Sequence, residues 1–269
     1  MERTEEKNFG GVHGIRLTIA LMVMIGIAVS AALFPLLGRG AADAEMLAVF
    51  EVDEYAQYPH VLRMVTPGAT ALETVRNFLI YLHYFYGYPF YALSGAVLLA
   101  AKPFIADFPN ATRIIVSLLR LGVSVIPMIL ALAILTGLTT RFRSRFRSIA
   151  LFLFLLSVPA VLTNHFWWHP DSLSFLFVVG VIWFLDRDAG RIGRFYYGAA
   201  AMTGVAIGTK YQGIYFALTI PLLLFQVVRS GQLPVRKALL HALGFVIVMA
   251  LFVVIANPLL LLPQKRAKI

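Results

Sequence analysis

Residues 131–156 read ALAILTGLTTRFRSRFRSIALFLFLL, and this stretch decides the fold. Its middle, RFRSRFR at 141–147, carries four arginines between two apolar runs. Long apolar runs are typical of helices that cross a bilayer, and loops rich in Lys and Arg stay on the cytoplasmic side. The stretch therefore predicts an all-α polytopic membrane protein whose loop 141–147 faces the cytoplasm.

The composition of the whole chain favours the same class. Of 269 residues, 60% are hydrophobic and 13% are charged, and the mean hydropathy is +0.82. Soluble domains have about 45–50% apolar and about 25% charged residues. The net charge is +10, from 23 Lys and Arg against 13 Asp and Glu. Because the basic residues gather beside apolar runs, we attribute this excess to membrane topology and expect no nucleic-acid partner. The chain has no cysteine, which excludes disulfides and thiolate metal sites.

The first apolar run covers residues 15–37. It is longer than the ~7–15 residues of a signal-peptide core and close to the ~20 residues that span a bilayer. We predict a retained first helix with its N-terminus inside; cleavage within 38–42 is the alternative. Further basic loops at 187–194 and 229–237 are also placed inside, whereas the acidic segment 43–54 is placed outside.

Residues 77–101 are apolar enough to span, but a span there would leave the arginine loop outside. We interpret them as a segment in the outer interface, because tyrosines suit the headgroup level and Gly87 and Pro89 interrupt the run. A plain spanning helix with reversed topology beyond it is the alternative. The other predicted spans are 114–138, 149–164, 171–185, 196–209, 213–228 and 238–258.

These assignments predict one domain over residues 1–269, with about seven transmembrane helices and a long first outer loop, 38–113, containing interfacial helices. Several spans are short, since a helix of ~15 residues rises ~23 Å against a hydrocarbon core of ~30 Å. The outer turns are therefore expected to lie in a recess below the membrane surface.

Two adjacent carboxylates, Asp53 and Glu54, follow the first helix. Neighbouring residues of a helix point in different directions, so one carboxylate can face a pocket while the other binds a partner. His60 lies close to the helical face of Asp53, with Arg63 at its edge. A general base with orienting neighbours is one interpretation; a solvated acidic loop is the other.

Lys210 interrupts the apolar residues around GTKYQG at 208–213. A lysine is a compact cation, so Lys210 is suited to bind a phosphate. The alternative is that its side chain only extends to the lipid headgroups. Arg113 and Arg120 flank the outer start of the second span, where either can meet a lipid phosphate or anchor the helix.

The segment HFWWHPD at 165–171 contains two histidines four residues apart. Helical spacing would place both on one face, where His165, His169 and Asp171 can contact substrate or, alternatively, hold a metal. An aromatic interface belt closed by Pro170 is the simplest interpretation.

The order of these motifs resembles the GT-C membrane glycosyltransferases, and most closely the protein O-mannosyltransferase-like group that includes bacterial lipid-A aminoarabinose transferases. The motifs that carry the resemblance are VDEY at 52–55, YGYPFY at 86–91, Arg120, HPD at 169–171, GTKYQG at 208–213 and Asn257-Pro258.

The resemblance implies transfer of a sugar from a polyprenyl phosphate to an acceptor hydroxyl on a protein, lipid or glycan, with inversion at the anomeric carbon. Asp53 would be the general base, and Glu54 the second catalytic carboxylate, which with His60 would orient the base or the acceptor. Lys210 and Arg120 would stabilise the departing phosphate. The remaining substrate or donor contacts are expected from Arg63, His83, His165, His169, Asp171 and Tyr211. No cofactor is required.

The resemblance also implies a location in a bacterial inner or plasma membrane, with the site facing the periplasm or the exterior. Members of the group are longer, so a truncated chain without the C-terminal helices is expected. Two other classes stay open. An inactive GT-C-like scaffold is one, and a transporter of lipid-linked substrates is the other; a transporter would need polar residues that spans 114–138 and 238–258 almost lack.

Overall fold

The computed structural model describes residues 12–80 and 86–261, and within these ranges the chain is all-helical without a strand. The predicted all-α class is therefore confirmed. The α-helices are α1 (Val12–Leu33), α2 (Ala44–Phe50), α3 (Val52–Met64), α4 (Ala71–Leu79), α5 (Tyr88–Ala101), α6 (Thr112–Leu119), α7 (Ile126–Thr140), α8 (Arg145–Leu156), α9 (Pro159–His165), α10 (Asp171–Asp188), α11 (Arg194–Thr209), α12 (Thr219–Arg229) and α13 (Val235–Ala256).

Four helical stretches of this part of the chain are long and apolar enough to cross a membrane: His13–Leu36, Thr112–Thr140, Tyr211–Arg229 and Val235–Ala256. The pair α8 and α9 makes a fifth if it is one span with a bend of 64°. The bend falls before Pro159, which lacks the N–H that would continue α8. The predicted total of about seven spans is reached only if α10 and α11 also cross the membrane. The 16 residues of α11 rise about 24 Å, less than the hydrocarbon core of about 30 Å.

The arginine-rich stretch forms a tight turn between α7 and α8. Arg141 and Phe142 both have left-handed backbone angles, with φ of 52° and 53°. The Phe142 ring folds back over Gly137, where an added Cβ would lie 2.8 Å from the ring. Ser144 then accepts the backbone N–H of Arg147 and caps α8. The turn holds the arginines at the end of both helices.

Several arginine-rich turns lie at one end of the helices. Arg141 donates to Asp186 at the end of α10, with 2.6 Å between Nη1 and Oδ2. Tyr197, near the start of α11, contacts His241, near the start of α13, at 2.9 Å. We refer to this end as the basic end; its turns are 141–147, 187–194 and 229–237.

Polar contacts gather at the opposite ends of the same helices. Lys210 follows α11 and pairs with Asp171 at the start of α10. Asn257 follows α13 and its Nδ2 donates to the carbonyl of Gly208 at 2.8 Å. Since Asp171 and Asp186 belong to one helix, the two ends lie about 22 Å apart. We refer to this second end as the polar end; its placement outside the cell stays a prediction.

Helix α5 runs between the ends of α13 and α3. The backbone N–H of Tyr88 donates to Oδ1 of Asn257 at 3.0 Å, and Lys102 donates to the carbonyl of Val65 at 2.8 Å. With 14 residues, α5 is not among the helices long enough to span. The interfacial position of 77–101 stays a prediction.

A backbone contact at Gly87 closes the polar end, and we expect Gly87→Ala to disrupt it. The Gly87 N–H donates to the carbonyl of Thr209 at 3.1 Å, and an added Cβ would lie 1.4 Å from the oxygen of Gly208. Alanine must push α5 from α11, so we expect a loss of about 1–3 kcal/mol in the free energy of unfolding, measured in detergent. Gly180→Ala is the matched control, because its nearest neighbour is an ordinary 3.5 Å away. Equal losses in both variants would contradict the contact.

Candidate functional site

A buried ion pair joins α3 to the helix that contains α6 and α7. Arg120 donates through Nε and Nη2 to the two carboxylate oxygens of Glu54, at 2.8 and 2.6 Å. Its Nη1 donates to the carbonyls of Leu37 and Arg39 at 2.7 and 2.9 Å. Glu51 lies 3.6 Å from the same guanidinium. The planar fork of arginine suits this arrangement, which fixes the end of α1 against α3.

This pair is buried: the side chains of Arg120 and Glu54 are 1% and 0% exposed. The contacts shown give both residues an internal, positioning role, and the expected contact of either with a substrate stays a prediction. Glu54 also accepts the backbone N–H of Trp168 at 2.5 Å. Both residues hold the site together. Arg120 opens a π-helical segment, Arg120–Val125, a local feature that is frequent at functional sites.

The segment 165–171 is anchored in the core through its second tryptophan. Trp168 is fully buried, its indole N–H donates to Ser94 at 3.0 Å, and its ring stacks on Phe90 with centroids 5.3 Å apart. Ser124 donates to the carbonyl of Trp167 at 2.5 Å. This segment is therefore not a plain aromatic belt, because α5 and the π-helical segment fix it from two sides.

Four side chains form a continuous series of polar contacts, which we call the polar chain: Tyr86, His169, Asp171 and Lys210. The Tyr86 hydroxyl lies 2.5 Å from Nε2 of His169, and Nδ1 of His169 lies 2.8 Å from Oδ2 of Asp171. Lys210 donates to the other oxygen of Asp171. Trp167 stacks on the imidazole, with centroids 3.8 Å apart.

Tyr86 is the member of the polar chain that the sequence did not single out as a site residue, although it opens the motif YGYPFY at 86–91. Burial raises the pKa of its phenol, and the nearby carboxylates of Asp53 and Asp171 raise it further. Tyr86 therefore keeps its proton at neutral pH. The carboxylate of Asp53 is therefore within electrostatic range of Tyr86.

Asp53 and Glu54 have opposite environments on α3, which is unbroken at Pro59. Glu54 is buried, whereas Asp53 is exposed. Nearby, Glu51 faces a cavity of about 240 Å³. Burial raises the pKa of the Glu51 carboxyl, and the nearby carboxylates of Glu54 and Asp53 raise it further. Arg120 lowers this pKa, but the net shift is upward. Asp53 is thus the accessible member of the adjacent pair Asp53 and Glu54.

The other predicted contacts have mixed positions. His60 is half-buried, and burial together with the charge of Arg63 lowers its pKa. Arg63 is exposed, and Tyr211 is 71% exposed beside Lys210. His83 lies outside the described residues.

His165 does not join the polar chain. It is fully buried, and neither ring nitrogen has a hydrogen-bond partner among the residues that the structure describes. No three His, Asp or Glu side chains in this part of the chain are grouped to hold a metal. The alternative metal site of His165, His169 and Asp171 is therefore not assembled here.

Comparison with known proteins finds no relative: no family model, no curated protein and no solved structure matches this chain. The resemblance to GT-C glycosyltransferases therefore depends on the sequence motifs alone.

Proposed function

We propose that the protein is a membrane glycosyltransferase that uses a polyprenyl-phosphate-linked sugar at the polar end. The observation that carries the proposal is the bond between Glu54 and the N–H of Trp168. It fixes α3 beside the segment that contains His169 and Asp171, and it leaves the neighbouring Asp53 exposed. This bond supports a site in which the accessible carboxylate of Asp53 and the ammonium of Lys210 act together, since these are the two groups that an inverting transfer from a phosphate donor needs.

The chemistry divides between Asp53 and Lys210. Asp53 accepts the proton of the acceptor hydroxyl while that oxygen bonds to the anomeric carbon. The bond from this carbon to the phosphate oxygen breaks, the lipid phosphate leaves with the electron pair, and the configuration inverts. Lys210 has three N–H donors, so it can donate to the phosphate while it remains bound to Asp171. His169 and Tyr86 keep Asp171 in place.

The proposal includes a membrane arrangement. The polar end lies at the ends of apolar helices, so a donor can keep its hydrocarbon tail in the bilayer while its phosphate reaches Lys210. We propose about seven spans, with α10 and α11 included, and a polar end that faces the periplasm or the exterior of a bacterial cell. The acceptor is a hydroxyl of a protein, a lipid or a glycan, and the chemistry needs no cofactor.

Binding of polyprenyl phosphate, without a sugar, tests the proposal independently of which sugar is transferred. We expect Lys210→Ala to weaken this binding about 10- to 100-fold, because a hydrogen bond to a charged group contributes about 1.5–3 kcal/mol. The affinity is measured by titrating polyprenyl phosphate into the protein in detergent and following the rise in its melting temperature. Lys237→Ala at the basic end is the matched control and should bind like the unmodified chain. Equal weakening by both variants would refute a phosphate contact at Lys210.

A non-catalytic scaffold is the second candidate, because one specific observation favours it. The charges of Lys210 and Asp171 already compensate each other, as do those of Glu54 and Arg120. A scaffold needs no ligand there, so it predicts that polyprenyl phosphate binds no better to the unmodified chain than to Lys210→Ala.

A further inference from the structure

A deep apolar groove runs along the helices on a side of the molecule that the proposed reaction does not use. It has a volume of about 1000 Å³, and α1, α7 and α10 contribute residues to its lining. At its floor α1 approaches α7 closely, since a Cβ on Gly26 would lie 2.9 Å from Ile129. Small side chains, Ser30, Ala31 and Ala133, widen the groove. The groove is therefore built into the contact between α1 and α7.

The groove ends in a charged site at the basic end. Arg141, Asp186, Arg187 and Trp183 line this end. Arg141 is bound to Asp186, whereas the guanidinium of Arg187 lies over the Trp183 ring, 4.6 Å from its centroid. Two arginines and one carboxylate leave one positive charge uncompensated. A tryptophan beside an arginine is typical of the headgroup level of a membrane.

The other end of the groove lies near Phe34 and Leu121. From Leu121 to Arg141 the helix rises about 30 Å, which matches the hydrocarbon thickness of a bilayer. The polar chain is at the far end from Arg187, because Asp171 and Asp186 lie at opposite ends of α10. A ligand with its headgroup at Arg187 is thus separate from the proposed sugar donor.

We propose that this groove binds one anionic phospholipid, with its acyl chains along the apolar wall and its phosphate at Arg187. The match of charge supports this occupant: an apolar lining with one uncompensated cation at its end suits an amphipathic molecule with a negative headgroup. The inference does not depend on the glycosyltransferase proposal, since it uses other residues at the other end of the molecule.

Lipid retention tests the inference. The full chain is reconstituted in nanodiscs that contain equal amounts of phosphatidylglycerol and phosphatidylcholine, released into detergent and examined by native mass spectrometry. We expect one retained phosphatidylglycerol per chain, at least about 5-fold more often than phosphatidylcholine, which corresponds to about 1 kcal/mol. Equal retention of the two lipids, or retention of neither, would overturn the proposal.

Three variants locate the bound lipid. Arg187→Gln should remove the preference for phosphatidylglycerol, and Ala31→Trp should fill the groove and reduce retention of both lipids. Arg145→Gln is the matched control, because Arg145 is an exposed arginine at the same end but does not line the groove. If Arg145→Gln has the same effect as Arg187→Gln, the preference reflects general basic charge and the groove site is wrong. A dimer that Ala31→Trp converts to monomers would show a second copy in the groove, which would also overturn the proposal.

Discussion

Replacing Glu54 by glutamine is expected to destabilise the protein by about 3–5 kcal/mol, because it leaves the buried guanidinium of Arg120 without its counter-charge. Both side chains are almost fully inaccessible to solvent, at 1% and 0% exposure. The carboxylate also accepts from Trp168, so the variant weakens the anchor of the segment 165–171. Reversible unfolding in mixed micelles measures the loss.

Glu51→Gln is the control for this prediction. Glu51 lies 3.6 Å from the same guanidinium but is 32% exposed. A partly exposed ion pair contributes about 0–1 kcal/mol, so its loss should be small. The double variant Glu54→Gln/Arg120→Met should be more stable than the sum of the single losses predicts, because it removes the uncompensated charge. Additive losses, or equal effects of Glu51→Gln and Glu54→Gln, would contradict a buried pair.

Asp53→Asn is expected to lower the rate of sugar transfer about 10²- to 10⁴-fold, the usual contribution of a general base. Asparagine has nearly the same shape but accepts no proton. Because Asp53 is exposed and Glu54 makes the internal bonds, the unfolding free energy should stay within about 0.5 kcal/mol of the unmodified chain. Transfer is measured in vesicles with a panel of labelled polyprenyl-phosphate sugars.

Glu45→Gln serves as the control for Asp53→Asn, since Glu45 is another exposed carboxylate of the acidic segment 43–54. It should keep full activity. Unchanged transfer by Asp53→Asn would remove Asp53 from the mechanism, even if Lys210→Ala weakened binding of the lipid phosphate. The two variants therefore test the base and the phosphate contact separately.

The sequence was sufficient to predict the structural class and the position of many helices. A helix that follows an apolar run between basic loops is determined by residues close together in the sequence. The predicted spans 238–258 and 196–209 therefore correspond closely to the observed helices α13 and α11. Proline also has a local effect, and the bend at Pro159 follows from its missing N–H. Pro59, in contrast, is accommodated within α3.

The inner contacts of the site could not be predicted in the same way, because they join distant parts of the chain. Helical spacing separates Asp53 from Glu54, but it does not tell which carboxylate faces the core. Arg120 selects Glu54 from 66 residues away, and Tyr86 meets His169 across 83 residues. No local pattern marks such partners; only the packing of α3 and α5 against the other helices brings them together.

The bonds of Asn257 have a consequence for biogenesis. This amide joins the N–H of Tyr88 to the carbonyl of Gly208, and 169 residues separate Asn257 from Tyr88. While a ribosome is still extending the nascent chain short of position 257, α5 and α11 lack this bridge. The earlier helices are therefore inserted into the membrane before the polar end is closed. A translational arrest before residue 257 should yield an inserted intermediate in which proteases reach the segment around Gly87.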